Sequence, residues 1–143
     1  MNSRIWLIKS EPFKYAWENM LADGRTFWDG VRNHQAKNNL LEMRVGDFAF
    51  FYHSNEGMEI VGIVQVVREA YPDPTATEGP WVVVDVEPKI SFETTVSLAQ
   101  LKADPICSGM ALVRQSRLSV SPVTESEFNR ICELANLNPA GFV

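Results

Sequence analysis

The apolar residues of this chain come in short β-forming runs broken by turn residues, and that punctuation limits the fold more than any other feature. Ile5, Trp6, Leu7 and Ile8 form the first run, which stops at Lys9, Ser10, Glu11 and Pro12 and reads as a buried strand. Residues 48–52 (FAFFY) form a second strand, between a turn at Gly46 and Asp47 and another at 55–57. A long strand or bent pair spans 59–70 (EIVGIVQVVREA), with Gly62 as a bulge. Prolines and a glycine make 71–80 a loop, and further strands follow at 81–86 and at 118–120, the latter closed by Pro122. No run approaches the roughly eighteen apolar residues that span a bilayer. The N-terminus reaches Arg4, Lys9 and Glu11 without the apolar segment of a signal peptide. A soluble intracellular protein is expected, cytoplasmic or, from a eukaryotic source, nuclear, with no membrane partner.

Helices are read between the strands. Ser10 is placed as the cap of one in which Pro12 occupies the first turn and Phe13, Trp17, Met20 and Leu21 share the buried face, ended by Asp23 and Gly24. A second carries Ala36, Leu40 and Met43 inward, and a short one covers 97–102. The last begins at Thr124, where Glu127 completes a capping box, and buries Phe128, Ile131 and Leu134. A length of 143 residues fits one domain, 1–143, large enough for a real core. With 45% hydrophobic and 22% charged residues, the composition excludes a disordered chain and a disulfide-dense module. Strands with helices inserted between them predict an α+β fold whose sheet curls into a small barrel or half-barrel. A doubly wound parallel sheet is disfavoured, because no glycine-rich phosphate loop is present.

The chain carries little catalytic equipment. Its two cysteines, Cys107 and Cys132, lack Cys-x-x-Cys spacing and read as small buried hydrophobes, so neither a metal nor a cofactor is implied. His34 and His53 are the only histidines, and no Gly-x-Ser-x-Gly elbow accompanies them. A net charge of -5 argues against coating nucleic acid through phosphates alone. The charge is uneven. Residues 1–55 hold seven basic and six acidic side chains, and 56–143 hold six and twelve. An anionic ligand is therefore expected to meet the N-terminal part and selected later arginines.

Three groups of residues suit a nucleobase. The polar cluster Arg32, Asn33, His34, Gln35, Lys37, Asn38 and Asn39 offers planar forks that read base edges or grip phosphate, although Asn33 also reads as a plain helix cap. Trp6, Trp28, Tyr52 and Trp81 are candidates for stacking; Trp28 is flanked by Thr26, Asp29 and Gly30 in a turn-rich stretch where a wholly buried ring is harder to explain. Lys9, Ser10 and Glu11 end a buried strand, where a carboxylate can accept from an exocyclic amine; helix capping by Ser10 and a dipole contact by Glu11 are the plainer reading. His53 and Ser54 read as a polar rim. Arg114, Gln115, Ser116 and Arg117 suit phosphate contacts, or pairing with nearby acids.

Six segments in register give the chain a family resemblance: WLIKSEP at 6–12, WDGVRNHQAKN at 28–38, FFYHS at 50–54, REAYPD at 68–73, VDV at 84–86 and RQSRLSV at 114–120. Together they resemble the EVE-domain family, from Trp6 to the last helix. The resemblance implies a PUA-like pseudo-barrel of five to six strands with peripheral helices, related to the YTH domains that hold methylated adenine in an aromatic cage. It also implies a non-catalytic reader of a modified base, chiefly a modified cytosine such as 5-methylcytosine, with DNA or RNA as partner. Carried over by position, Lys9, Ser10, Glu11, Trp28, Arg32, Asn33, Gln35, Lys37, Asn38, Tyr52, His53, Ser54, Arg114, Gln115 and Arg117 border the pocket. The chain departs from the pattern at His34, where tyrosine is common, and at Lys37, where arginine is common and would grip phosphate with a fork. Two other classes stay open: an enzyme on a modified nucleotide or nucleic acid, with Glu11 or His53 as acid or base, and a module for a small molecule or protein.

Overall fold

The apolar run at the start of the chain forms β1 (Ile5–Ser10), which pairs in parallel with β3 (Phe48–His53), Ile5 opposite Phe48 and Ser10 opposite His53. The computed structural model describes residues 3–141; the expected domain, 1–143, also includes residues 1, 2, 142 and 143, which lie outside them. The other strands are β2 (Thr26–Phe27), β4 (Glu59–Pro72), β5 (Val82–Ser97) and β6 (Val120–Val123). They form one six-stranded mixed sheet in the order β2-β5-β4-β3-β1-β6, in which every pairing except β1 with β3 is antiparallel. The α+β class holds, and the pseudo-barrel is not closed.

Strand alternation divides the interior into two cores. Leu7, Phe50 and Tyr52 face one, where α3 (Leu98–Ala103), α4 (Ala111–Arg114) and α5 (Glu125–Leu134) bring Leu101, Leu112, Phe128 and Ile131. Trp6, Ile8 and Phe51 face the other, covered by α1 (Trp17–Asp23) and α2 (His34–Glu42) through Trp17, Met20, Ala36 and Leu40. The connection from β1 to β3 crosses this second face, carrying α1, β2 and α2 with it. Asn33 caps α2, accepting the Ala36 N–H at 2.9 Å, and Thr124 and Glu127 form the expected capping box on α5. Cys107 and Cys132 are buried free thiols, and burial pushes them up to about 12 and about 11.

Several expectations need correction. The first helix begins at Trp17 rather than Ser10: Ser10 completes β1, and residues 12–14 form a turn. Trp17 and Met20 are buried as expected, but Phe13 is 70% exposed, because the 3.6-residue stripe does not extend back through the turn, and Leu21, within the helix, is 49% exposed. Glu11 is consequently not in the first turn of a helix. β5 runs far beyond 86, through Pro88, which a register shift beside Val64 accommodates. β4 extends to Pro72, α4 was not anticipated, and the last strand is Val120–Val123, with Pro122 inside it.

The bulge expected at Gly62 is present as a register shift between Ile60 and Gly62. Its lack of a side chain has a packing reason. A Cβ there would sit 2.6 Å from Cη2 of Trp17, whose ring packs edge-on against Phe51 at 5.2 Å and donates its N–H to Ser91 Oγ at 2.9 Å. A ring fixed on two sides cannot yield. Gly62→Ala is expected to destabilise the protein by about 1–3 kcal/mol, read from chemical denaturation. A double-mutant cycle with Trp17→Phe should return a coupling energy of roughly 0.5 kcal/mol or more, as neighbours in contact do.

Candidate nucleic-acid interface

Parallel pairing delivers two strand ends to one edge of the sheet. Glu11 leaves β1 there and Ser54 and Asn55 leave β3, held together as Ser54 N–H donates to the Ser10 carbonyl at 2.9 Å. Antiparallel β6 begins at the same edge, so the residues before it close one side. Lys9 N–H donates to the Ser119 carbonyl at 3.0 Å, and Lys9 Nζ to the Ser116 carbonyl at 2.7 Å. Burial lowers the Lys9 ammonium from its ordinary value. The segment after β2 forms the opposite side, tied to β5 as Trp28 N–H donates to the Val84 carbonyl at 2.8 Å. These walls enclose a cavity of about 800 Å³, lined among others by Lys9, Ser10, Glu11, Tyr15, Trp28, Ser54 and Arg117. That is a volume typical of sites for small ligands.

Trp28 supplies the aromatic wall. Its ring packs edge-on against Phe51 at 5.5 Å and Tyr15 at 6.1 Å, so the residue is only 8% exposed. Its indole N–H has no hydrogen-bond partner among the described residues, and no buried side-chain nitrogen or oxygen there is unpaired, so this donor reaches open space. Tyr15 is fixed in turn: its hydroxyl donates to Asp23 at 2.7 Å, and burial together with that bond raises it to about 12. Ser10 Oγ donates to the Tyr15 carbonyl at 2.5 Å. Lys14 and Arg117, with Lys9, give the lining three cations against the carboxylates of Glu11 and Asp29.

A buried carboxylate holds the Trp28 loop in place. The Asp73 side chain is 0% exposed and accepts from Gly30 N–H at 3.1 Å, Arg32 at 3.0 Å, Thr75 N–H at 2.7 Å and Thr75 Oγ1 at 2.6 Å. Burial alone would raise its pKa, but the bonds from Thr75, Arg32 and Gly30 outweigh it and hold the carboxyl at about 2. Arg32 thus serves the loop, with its guanidinium 5.8 Å from the Trp81 ring.

The remaining candidate residues divide. Asn33, Gln35, Arg114, Gln115 and Arg117 line a second hollow of about 330 Å³ that shares Ser116 and Arg117 with the first; neither Arg114 nor Arg117 makes an ion pair among the described residues. Lys37 and Asn38 lie on α2 and line neither hollow. Tyr52 is 3% exposed on the opposite face of the sheet, where burial raises its hydroxyl. His53 Nε2 accepts from Trp17 N–H at 3.1 Å, and burial lowers its imidazole against the opposing pull of Glu18 and Glu59. Trp6 is wholly buried and donates to Asp47, and Trp81 packs on His34 at 4.9 Å. Tyr15, Thr26 and Asp29 join the cavity unanticipated; their closeness in sequence to Trp28 and Ser10 was the available signal. Among the described residues no three His, Cys, Asp or Glu side chains gather as a metal site, and no helix is long and apolar enough to cross a membrane.

Comparison with known proteins identifies the family of the chain and relatives of the same fold. The family model described as EVE domain matches residues 4–134. Thymocyte nuclear protein 1 of Rattus norvegicus is 37% identical, over 96% of this chain and 76% of its own length. A crystal structure of an Agrobacterium tumefaciens protein superposes with a TM-score of 0.92 at 46% identity, covering 94% of both chains. Human thymocyte nuclear protein 1, solved in complex with DNA containing 5-methylcytosine, superposes at 0.87 with 34% identity, covering 96% of this chain and 100% of that one. The Pho92 YTH domain, at 17% identity and a TM-score of 0.58, shares the fold.

The Asp73 fastening has two measurable consequences. A carboxyl held at about 2 against an ordinary 3.8 contributes stability that is fully present above pH 3.8 and lost as the pH falls toward 2, so denaturant midpoints should decline across that window. Asp73→Asn should flatten that decline, and should speed hydrogen exchange at the Gly30 amide about tenfold at neutral pH by weakening a charge-assisted bond.

Proposed function

The chain belongs to the EVE-domain family and is homologous to thymocyte nuclear protein 1, and on that footing we propose that it is a non-catalytic module that reads a modified base in nucleic acid. The observation that carries this reading is Trp28, whose indole N–H no described residue accepts and which lines a cavity that also presents Lys9, Lys14 and Arg117. A flat base meets the ring, its edge meets the polar lining, and the cations meet its phosphates. Arg114 and Arg117, neither in an ion pair among the described residues, line the adjoining hollow and suit contacts to the nucleic-acid backbone. A modified cytosine in DNA is the favoured ligand, since the human relative was solved with 5-methylcytosine DNA; RNA remains within the same chemistry. The cytoplasm, or the nucleus of a eukaryote, is the compartment that holds such a partner.

Binding fits these residues better than catalysis. The two candidate acid–base groups are committed to structural bonds: His53 accepts from Trp17, and Glu11 is engaged by Asn55 at 2.8 Å and Lys14 at 3.4 Å. Discrimination between a methylated and a plain base should be graded rather than absolute. A buried methyl contributes about 0.8 kcal/mol, which is roughly a fourfold preference.

The test titrates wild-type protein, at low salt, with oligonucleotides carrying one 5-methylcytosine or one cytosine. Tighter binding to the methylated strand by roughly fourfold or more is expected. Trp28→Phe keeps a packed ring but deletes the indole donor, and should weaken binding by about fivefold with an unchanged circular dichroism spectrum. Equal weak binding of both strands, or full affinity in Trp28→Phe, contradicts the reading.

A further inference from the structure

We propose that Phe13 is a wedge that enters the stack of a double helix as the recognised base leaves it, an inference that rests on the base-reading role of the cavity. Phe13 is 70% exposed, more than any other large hydrophobic residue described. An exposed apolar side chain is ordinary in itself; its place is what gives this one meaning. The Glu11 carbonyl accepts from both Lys14 N–H and Tyr15 N–H at 2.9 Å, closing a turn with Pro12 and Phe13 at its crown. Glu11, Lys14 and Tyr15 all line the cavity, so the turn that carries Phe13 borders it.

The mounting is rigid. Pro12 fixes its own backbone angle, and the foot of the turn is pinned as Asn55 Nδ2 donates to Glu11 Oε1 at 2.8 Å and Lys14 Nζ pairs with Oε2 at 3.4 Å. Little freedom is then lost when a ring with two side-chain torsions inserts. A ring in water gains on entering a base stack, and a gap left by an extruded base loses stacking unless something fills it. Lys14 Nζ, 5.8 Å from the Phe13 ring centroid, sets a cation beside the ring where the duplex backbone would run. Trp28 cannot fill that gap, being 8% exposed and packed on Phe51 and Tyr15 within the cavity wall.

The wedge makes duplex and single strand respond differently. Wild type, Phe13→Ala and Phe13→Leu are compared by fluorescence anisotropy on a duplex with one central 5-methylcytosine and on its methylated strand alone. A second duplex carries 2-aminopurine next to the methylcytosine, to report unstacking. Phe13→Ala is expected to weaken duplex binding about tenfold and abolish most of the 2-aminopurine signal, while single-strand affinity changes by less than about twofold. Phe13→Leu, still an apolar wedge, should keep most of the duplex affinity. Equal losses on both probes, or no loss on the duplex while wild type binds it, overturn the wedge and leave the base-reading role intact. Wild type binding neither probe overturns that role, and the wedge with it.

Discussion

The parallel pairing of β1 with β3 is the constraint on which the site depends. Antiparallel neighbours would send successive strand ends to opposite edges of the sheet, whereas this pair sends Lys9 and Ser10 out beside His53 and Ser54. A parallel pair also requires a crossover, and here the crossover carries α1, Trp28 and α2 over one face of the sheet. One topological choice therefore supplies both the polar floor of the cavity and its aromatic wall. β6 completes the enclosure because it starts where β1 ends, with Lys9 reaching across to the Ser116 carbonyl.

Buried aspartates turn that topology into fixed geometry. Asp47 accepts from Arg4 N–H, Trp6 Nε1 and Arg44 N–H, each at 3.0 Å, and so locks the start of β1 to the loop entering β3. Asp73 does the same for the Trp28 loop, and Asp104 gathers Ile106 N–H, Cys107 N–H and Arg130 at the other core. The Arg130 guanidinium is the leading cause that lowers the Asp104 carboxyl. Part of the acidic surplus of a chain with net charge -5 thus fastens loops from inside, and two of these carboxylates, Asp73 and Asp104, are offset by the guanidinium groups of Arg32 and Arg130. The cavity itself is lined with more cations than carboxylates.

Much of this was legible in the residues. Ile5 to Ile8 read as a buried strand because four β-forming side chains precede Lys9, and Asn33 and Thr124 read as caps because their side chains sit three residues before the amides they bond. Lys9, Ser10, Glu11, Trp28, Ser54 and Arg117 fell together because they follow strand ends or turns. What failed did so for definable reasons. Phe13 matched a helical stripe that the Pro12 turn interrupts, and Tyr52 matched an aromatic motif while strand alternation sends it to the opposite face from Phe51. The length of β5 was hidden by Pro88 and by polar residues facing solvent at its far end. Asp73 stood in a recognised segment, but its four donors come from Gly30, Arg32 and Thr75, and no local pattern reveals that meeting.

If the partnerless indole donor of Trp28 meets a base, the four tryptophan indole resonances of the ¹⁵N-labelled protein will report it. On addition of a 5-methylcytosine oligonucleotide, the Trp28 Nε1–H signal is expected to shift strongly, with little change at Trp6, whose N–H is held by Asp47 in the core. A Trp28 signal that stays in place while the oligonucleotide binds would show that the base is held elsewhere.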